Sequence, residues 1–107
     1  MRRGDIHELR PPRRAGHELQ GRRFGVVVQA DALLSRSVVL VAPTSRSARA
    51  ASFRPELVVE GVTTRVLVER LGAVDVNRLG DHMGRASIEE IWGIDESLMT
   101  VLGLRDR

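Results

Sequence analysis

Phe24-Gly25-Val26-Val27-Val28-Gln29-Ala30 is the stretch on which the fold turns. Three successive valines with no polar alternate describe a strand covered on both faces, because a strand with one wet face alternates with period two. Ser37 to Ala42 repeats the pattern and is expected to halt at Pro43, which cannot donate to a ladder. Further out, Asp5 to Leu9 reads as a short strand ended by Pro11-Pro12. Phe53 to Val59 and Thr63 to Leu71 read as two more, separated by a turn at Glu60-Gly61. Five short strands at near-regular spacing predict a small barrel rather than an open α/β sheet. Arg10 to Gln20 and Thr44 to Ser52 lack a hydrophobic period and read as polar, arginine-bearing loops.

The period changes towards the C-terminus. Ser87-Ile88-Glu89-Glu90 is a capping box, with Ser87 as N-cap and Glu90 reaching back. Ile88, Ile91, Trp92, Leu98, Met99 and Leu102 then recur at helical spacing, and Gly103 supplies a stop. The pattern predicts a helix of about four turns whose stripe packs on the sheet, with Trp92 as a core or interface anchor. Asp75 is expected to cap a shorter turn over Val76 to Leu79. The fold class is therefore mainly β with a C-terminal helix, in one domain spanning 1–107.

The 107 residues include no cysteine, which excludes disulfides, thiol catalysis and thiolate zinc sites together. No apolar run approaches the ~18 residues of a membrane span, and Met1 to Asp5 leads into no signal-peptide core, so a cytoplasmic protein is expected. Charge is more informative. All 17 basic residues are Arg, and residues 1–54 hold 11 of them against Asp5, Glu8, Glu18 and Asp31. Residues 55–107 carry six Arg and ten acids, so a basic half (+7) faces an acidic one (−4). A basic half on a small domain is an electrostatic footprint for phosphate, although base composition also favours Arg over Lys.

No glycine-rich phosphate loop is present, and His7, His17 and His82 lack the paired spacing of metal ligands. His7 reads as a strand residue, His82 as a sheet-edge residue and His17 as a solvated loop residue. Only Phe24, Phe53 and Trp92 are aromatic, so base stacking cannot dominate any RNA reading.

What remains is Gly16-His17-Glu18-Leu19-Gln20-Gly21-Arg22-Arg23-Phe24 leading into the valine strand, with Ala42-Pro43-Thr44-Ser45 ending the next. These residues resemble the MazF/PemK toxins of bacterial toxin–antitoxin systems. Arg3-Gly4-Asp5 matches the family's opening. Gly16, Glu18, Gly21, Arg23, Gly25 to Gln29 and Asp31 match its loop and second strand without gaps, and Val66 to Leu79 matches a later segment. Phe24 stands where the family has proline and His17 where it has serine. Gln20 is shifted by one place, and Arg70 and Gly72 replace two polar residues.

The resemblance implies an SH3-like barrel of the MazF/CcdB/PemK type, paired as a homodimer, needing no metal or other cofactor. It implies a sequence-selective endoribonuclease that cuts single-stranded mRNA by attack of the 2′-hydroxyl on the adjacent phosphorus, inhibiting translation and growth. Arg23, Thr44 and Glu18 are then the catalytic candidates: a phosphate clamp, a phosphate donor, and a group that activates the 2′-hydroxyl or orients Arg23. Arg13, Arg14, His17, Gln20, Arg22, Ser45, Arg46, Arg49 and Arg70 are the RNA-binding candidates. An antitoxin with an acidic tail is the expected protein partner. Two alternatives stay open: a CcdB-like toxin that inhibits gyrase, and a non-catalytic RNA- or ribosome-binding SH3-like module.

Overall fold

A computed structural model describes residues 1–10, 23–34 and 36–105. Among the described residues, seven strands precede one α-helix: β1 (Asp5–Leu9), β2 (Phe24–Val27), β3 (Val38–Ser45), β4 (Glu56–Val59), β5 (Val62–Val66), β6 (Gly72–Asp75), β7 (Leu79–Arg85) and α1 (Ile88–Val101). All pairings are antiparallel in the order β4-β5-β3-β2-β1-β7, and β6 also pairs with β3.

The valine run behaves as its pattern predicts. Val26, Val28 and Ala42 face one core with Ile6, Leu57, Val59, Val66, Val68 and Ile94. Val27 faces a second, with Val39 and Val41, backed by Leu34, Val74, Val76 and Leu79. One strand thus feeds both layers, and shortening any of these valines removes packing on a closed side.

Pro43 does not halt β3. The strand continues through it to Ser45, pairing with β6 over Val38–Val41 and with β5 at Thr44 and Ser45. The Pro43 carbonyl accepts the Leu67 N–H at 2.8 Å on this changing edge. The missing donor therefore falls in the gap between two partners, where no ladder bond is lost.

The expectation of five strands undercounts, because β6 and β7 follow the tract in which Thr63 to Leu71 was expected as one strand. That tract is β5 to Val66, then a 3₁₀ turn at Val68–Arg70. The second strand stops at Val27, and the strand expected from Phe53 begins only at Glu56. Asp75 does cap its short turn, accepting the Asn77 N–H at 2.8 Å.

α1 begins with the anticipated reciprocal box: Ser87 Oγ accepts the Glu90 N–H (3.1 Å) and Glu90 Oε1 accepts the Ser87 N–H (2.8 Å). Such caps contribute about 1 kcal/mol. The buried stripe is narrower than expected. Ile91, Ile94, Leu98 and Val101 pack on the sheet, whereas Ile88, Trp92, Met99 and Leu102 are exposed, Trp92 at 59%. Trp92 and Met99 are therefore not core residues. Among the described residues no helix is long and apolar enough to cross a membrane.

Candidate active site

The register brings the start of β2 beside the end of β3. Gly25 pairs with Pro43 and Val26 with Ala42, which carries Arg23 and Phe24 alongside Ser45 and Thr44. The strands meet closely here: a Cβ on Gly25 would lie 2.5 Å from Val41 Cγ1, so glycine alone permits the pairing. The Arg23 backbone is fixed from the other side, its carbonyl accepting the Leu9 N–H at 2.7 Å. Thr44 Oγ1 donates to the Phe24 carbonyl at 3.3 Å, tying β3 to the residue after Arg23. An exposed side chain thus stands on a hydrogen-bonded backbone.

The β4–β5 hairpin forms the opposite wall. Glu60 (φ 52°) and Gly61 (φ 77°) both occupy the left-handed region, the two-residue turn that matches strand twist and the turn expected at this place. Between this hairpin and the β2–β3 edge lies an open cleft of about 680 Å³. Arg23, Arg46 and Glu60 line it with charge, Thr44, Ser45, Ser47 and Thr64 with hydroxyls, and Phe24, Val59 and Val62 with apolar surface. Ser45 Oγ accepts the Ser47 N–H at 3.3 Å, shaping the turn that carries Arg46.

Five described arginines that do not line the cleft pair with carboxylates. Arg3 pairs with Asp95, Arg54 with Glu69, Arg65 with Glu56, Arg85 with Asp5 and Arg105 with Glu96. Arg23 and Arg46 pair with no described carboxylate, as is also true of Arg2, Arg10, Arg36, Arg49, Arg70 and Arg78, but among the described arginines these two line the cleft. The most embedded pair is that of Asp5, a buried residue. Burial alone would raise its pKa, but the Arg2 backbone N–H, His82 and Arg85 outweigh it and hold the carboxyl below its ordinary value.

Of the residues singled out in the sequence, the cleft gathers Arg23, Thr44, Ser45 and Arg46. Arg49 and Arg70 are exposed but do not line it; Arg70 ends the turn after Val68. Arg13, Arg14, His17, Glu18, Gln20 and Arg22 lie outside the described residues. The sequence reading missed Thr64, Glu60 and the apolar wall. Thr64 could have been found by alternation, since it shares the inward face of β5 with Val66. It is 3% exposed, and its hydroxyl has no hydrogen-bond partner among the described residues, an arrangement that costs about 1–3 kcal/mol. His82 does lie on the edge strand β7, with its ring edge-on to that of His7 at 5.3 Å.

Comparison with known proteins agrees with this architecture. A family model described as "PemK-like, MazF-like toxin of type II toxin-antitoxin system" matches residues 2–102. A candidate toxin of Mycobacterium tuberculosis is 38% identical over 90 residues, covering 83% of this chain and 84% of the relative. MazF from Deinococcus radiodurans superposes with a TM-score of 0.78 at 24% identity, over 96% of each chain. A mycobacterial endoribonuclease solved with its cognate antitoxin gives 0.78 at 18% identity, over 97% of this chain and 96% of that one. The small barrel with its C-terminal helix is thus the MazF fold, and the chain belongs to the PemK/MazF family of toxins of type II toxin–antitoxin systems.

Proposed function

We propose that the cleft cuts single-stranded RNA. The observation that carries the reading is the pair of arginines, Arg23 and Arg46, at a hydroxyl-lined cleft and without a described carboxylate partner. In this reaction the 2′-oxygen bonds to phosphorus, the bond to the 5′-oxygen breaks, and a cyclic phosphate and a 5′-hydroxyl remain. The 2′-hydroxyl proton leaves to a base and the 5′-oxygen takes up a proton. The intervening phosphorane carries extra negative charge, and a guanidinium fork suits its equatorial oxygens.

Arg23 is the clamp in this scheme, and Arg46 holds a neighbouring phosphate. Thr44 is recast as a positioning residue, because its hydroxyl already donates to the Phe24 carbonyl. Glu18 keeps the role of activating the 2′-hydroxyl or orienting Arg23. Arg13, Arg14, His17, Gln20, Arg22 and Ser45 extend the RNA contacts, while Arg49 and Arg70 act, if at all, from beyond the cleft. Guanidinium charge supplies the stabilisation, so no metal is needed.

Two partners complete the proposal. An antitoxin with an acidic tail competes with RNA, since carboxylate and phosphate engage the same fork. A second copy of the chain forms a homodimer that covers the exposed stripe of Ile88, Trp92, Met99 and Leu102 on α1.

The test is incubation of the purified protein with a long RNA in EDTA. Discrete fragments with 5′-hydroxyl ends are expected; intact RNA that is merely retarded in a gel would instead make this a binding module. Light scattering should return a mass near twice 11.9 kDa. A mass of one chain at micromolar concentration would rule the dimer out.

A further inference from the structure

The cleft lining joins two kinds of chemistry. Arg23 and Arg46 suit phosphates, whereas Phe24, Val59 and Val62 are apolar. Apolar walls give a sugar–phosphate chain nothing to bind, whereas they suit the flat, weakly hydrated faces of a nucleobase. On the same lining, the buried Thr64 hydroxyl has no hydrogen-bond partner among the described residues. Valine has the same shape, favours strands equally well and would avoid the cost of a buried unmade hydrogen bond. Nothing in the packing of β5 against β4 uses the oxygen. Leu57, Thr64's partner in the ladder, faces the core at 0% exposure.

We infer that Thr64 is a specificity-determining residue: the apolar part of the cleft seats one unstacked base of the RNA, and the Thr64 hydroxyl reads its polar edge. A hydroxyl both donates and accepts, so it can bond a ring carbonyl or an exocyclic amine. Bases differ in which of these they present and where. One such contact separates a matching base from a mismatched one by about 3- to 10-fold. The inference rests on the cleft being an RNA site, but it concerns recognition, which can be measured without cleavage.

The experiment uses the full chain and a pool of random-sequence, single-stranded 2′-fluoro RNA, which lacks the attacking hydroxyl. Retained molecules are sequenced and base enrichment is read by position. The parent should enrich one base about 3- to 10-fold at one or more positions. Thr64→Val should level one of those positions to within about twofold and leave total retention nearly unchanged, while Thr64→Ser, which keeps the hydroxyl, should preserve it. Thermal melting of Thr64→Val at or above the parental midpoint would show that the fold is intact. A parent without base preference overturns the inference, as does Thr64→Val with the parental profile. In parallel, the parent is given ordinary RNA. A parent that selects bases through Thr64 but cuts nothing removes the nuclease reading alone, and one that cuts with Thr64→Val unchanged in preference removes only this inference.

Discussion

Around β1 and α1 the arginines are engaged. Arg3 reaches Asp95 at 2.7 Å and also donates to the Val28 carbonyl, and Arg85 reaches buried Asp5 at 3.2 Å. At the cleft, Arg23 and Arg46 have no described carboxylate partner, and Arg23 stands on backbone fixed by neighbouring strands. The same side chain thus serves two ends. In the first region it neutralises acids that the fold has drawn in. In the second no described carboxylate takes up its charge. Composition shows only that arginine is abundant; a place on the cleft together with the lack of a described carboxylate partner marks Arg23 and Arg46.

The sharpest way to break this contrast is at Arg23. Arg23→Ala should lower RNA cleavage about 100- to 1,000-fold, the typical cost of one preorganised donor to a transition state. Its melting temperature should stay at the parental value, because the side chain is exposed. Cleavage at the parental rate would place Arg23 among the structural arginines.

Asp5 offers the converse test. Asp5→Asn should destabilise the fold by about 2 kcal/mol at pH 7, the scale of hydrogen bonds to a charged group. The folded carboxyl titrates below its unfolded value, so its contribution is complete above about pH 4 and lost as pH falls through the folded value. The gap between parent and variant in urea unfolding should close on acidification. A gap that widened would reverse the assigned direction. RNA affinity should not change.

Arg46→Ala should weaken RNA binding about tenfold and make the slope of log affinity against log salt shallower by about 0.7, the value for one phosphate on a single strand. Fluorescence anisotropy across a salt series measures both. The smallest effect belongs to Arg3→Ala. The Arg3–Asp95 pair is partly exposed, so stability should fall by no more than about 1 kcal/mol, with binding unaltered. Should Arg3→Ala weaken RNA binding as much as Arg46→Ala, the division between the two regions would collapse.

The sequence made the two-faced strand, the capping box and the Glu60-Gly61 turn legible because each depends on neighbours a few residues apart. Leu79–Arg85 escaped notice for the opposite reason. It holds two glycines, a histidine and no β-branched residue, and it is a strand because β1 lies beside it. Pro43 misled because its cost depends on which partner lies beyond it, a fact of the assembled sheet. The site divided similarly. Arg23 and Thr44, singled out by the family resemblance, lie at strand ends that the sheet brings together. Alternation with Val66 points Thr64 inward, but only the folded hairpin brings it to the same cleft. Helical period places Met99 in the core and Trp92 in the core or at an interface, yet Ile91, Ile94, Leu98 and Val101 pack on the sheet and the other two are exposed.

The carboxylate of Glu90 has a second consequence. One oxygen closes the cap of α1, while the other accepts the Val58 N–H at 2.9 Å. β4 is an outer strand of the sheet, and Val58, 52% exposed, is an apolar residue on it. An open edge of this kind is a template on which another chain can add a strand and propagate aggregation. Glu90 occupies a donor that such a strand would need, and it places a negative charge beside it. The first turn of the helix therefore doubles as a guard on the sheet. Fraying of that turn would lift the guard before the barrel itself opened, and clumping rather than unfolding would be the first sign of damage.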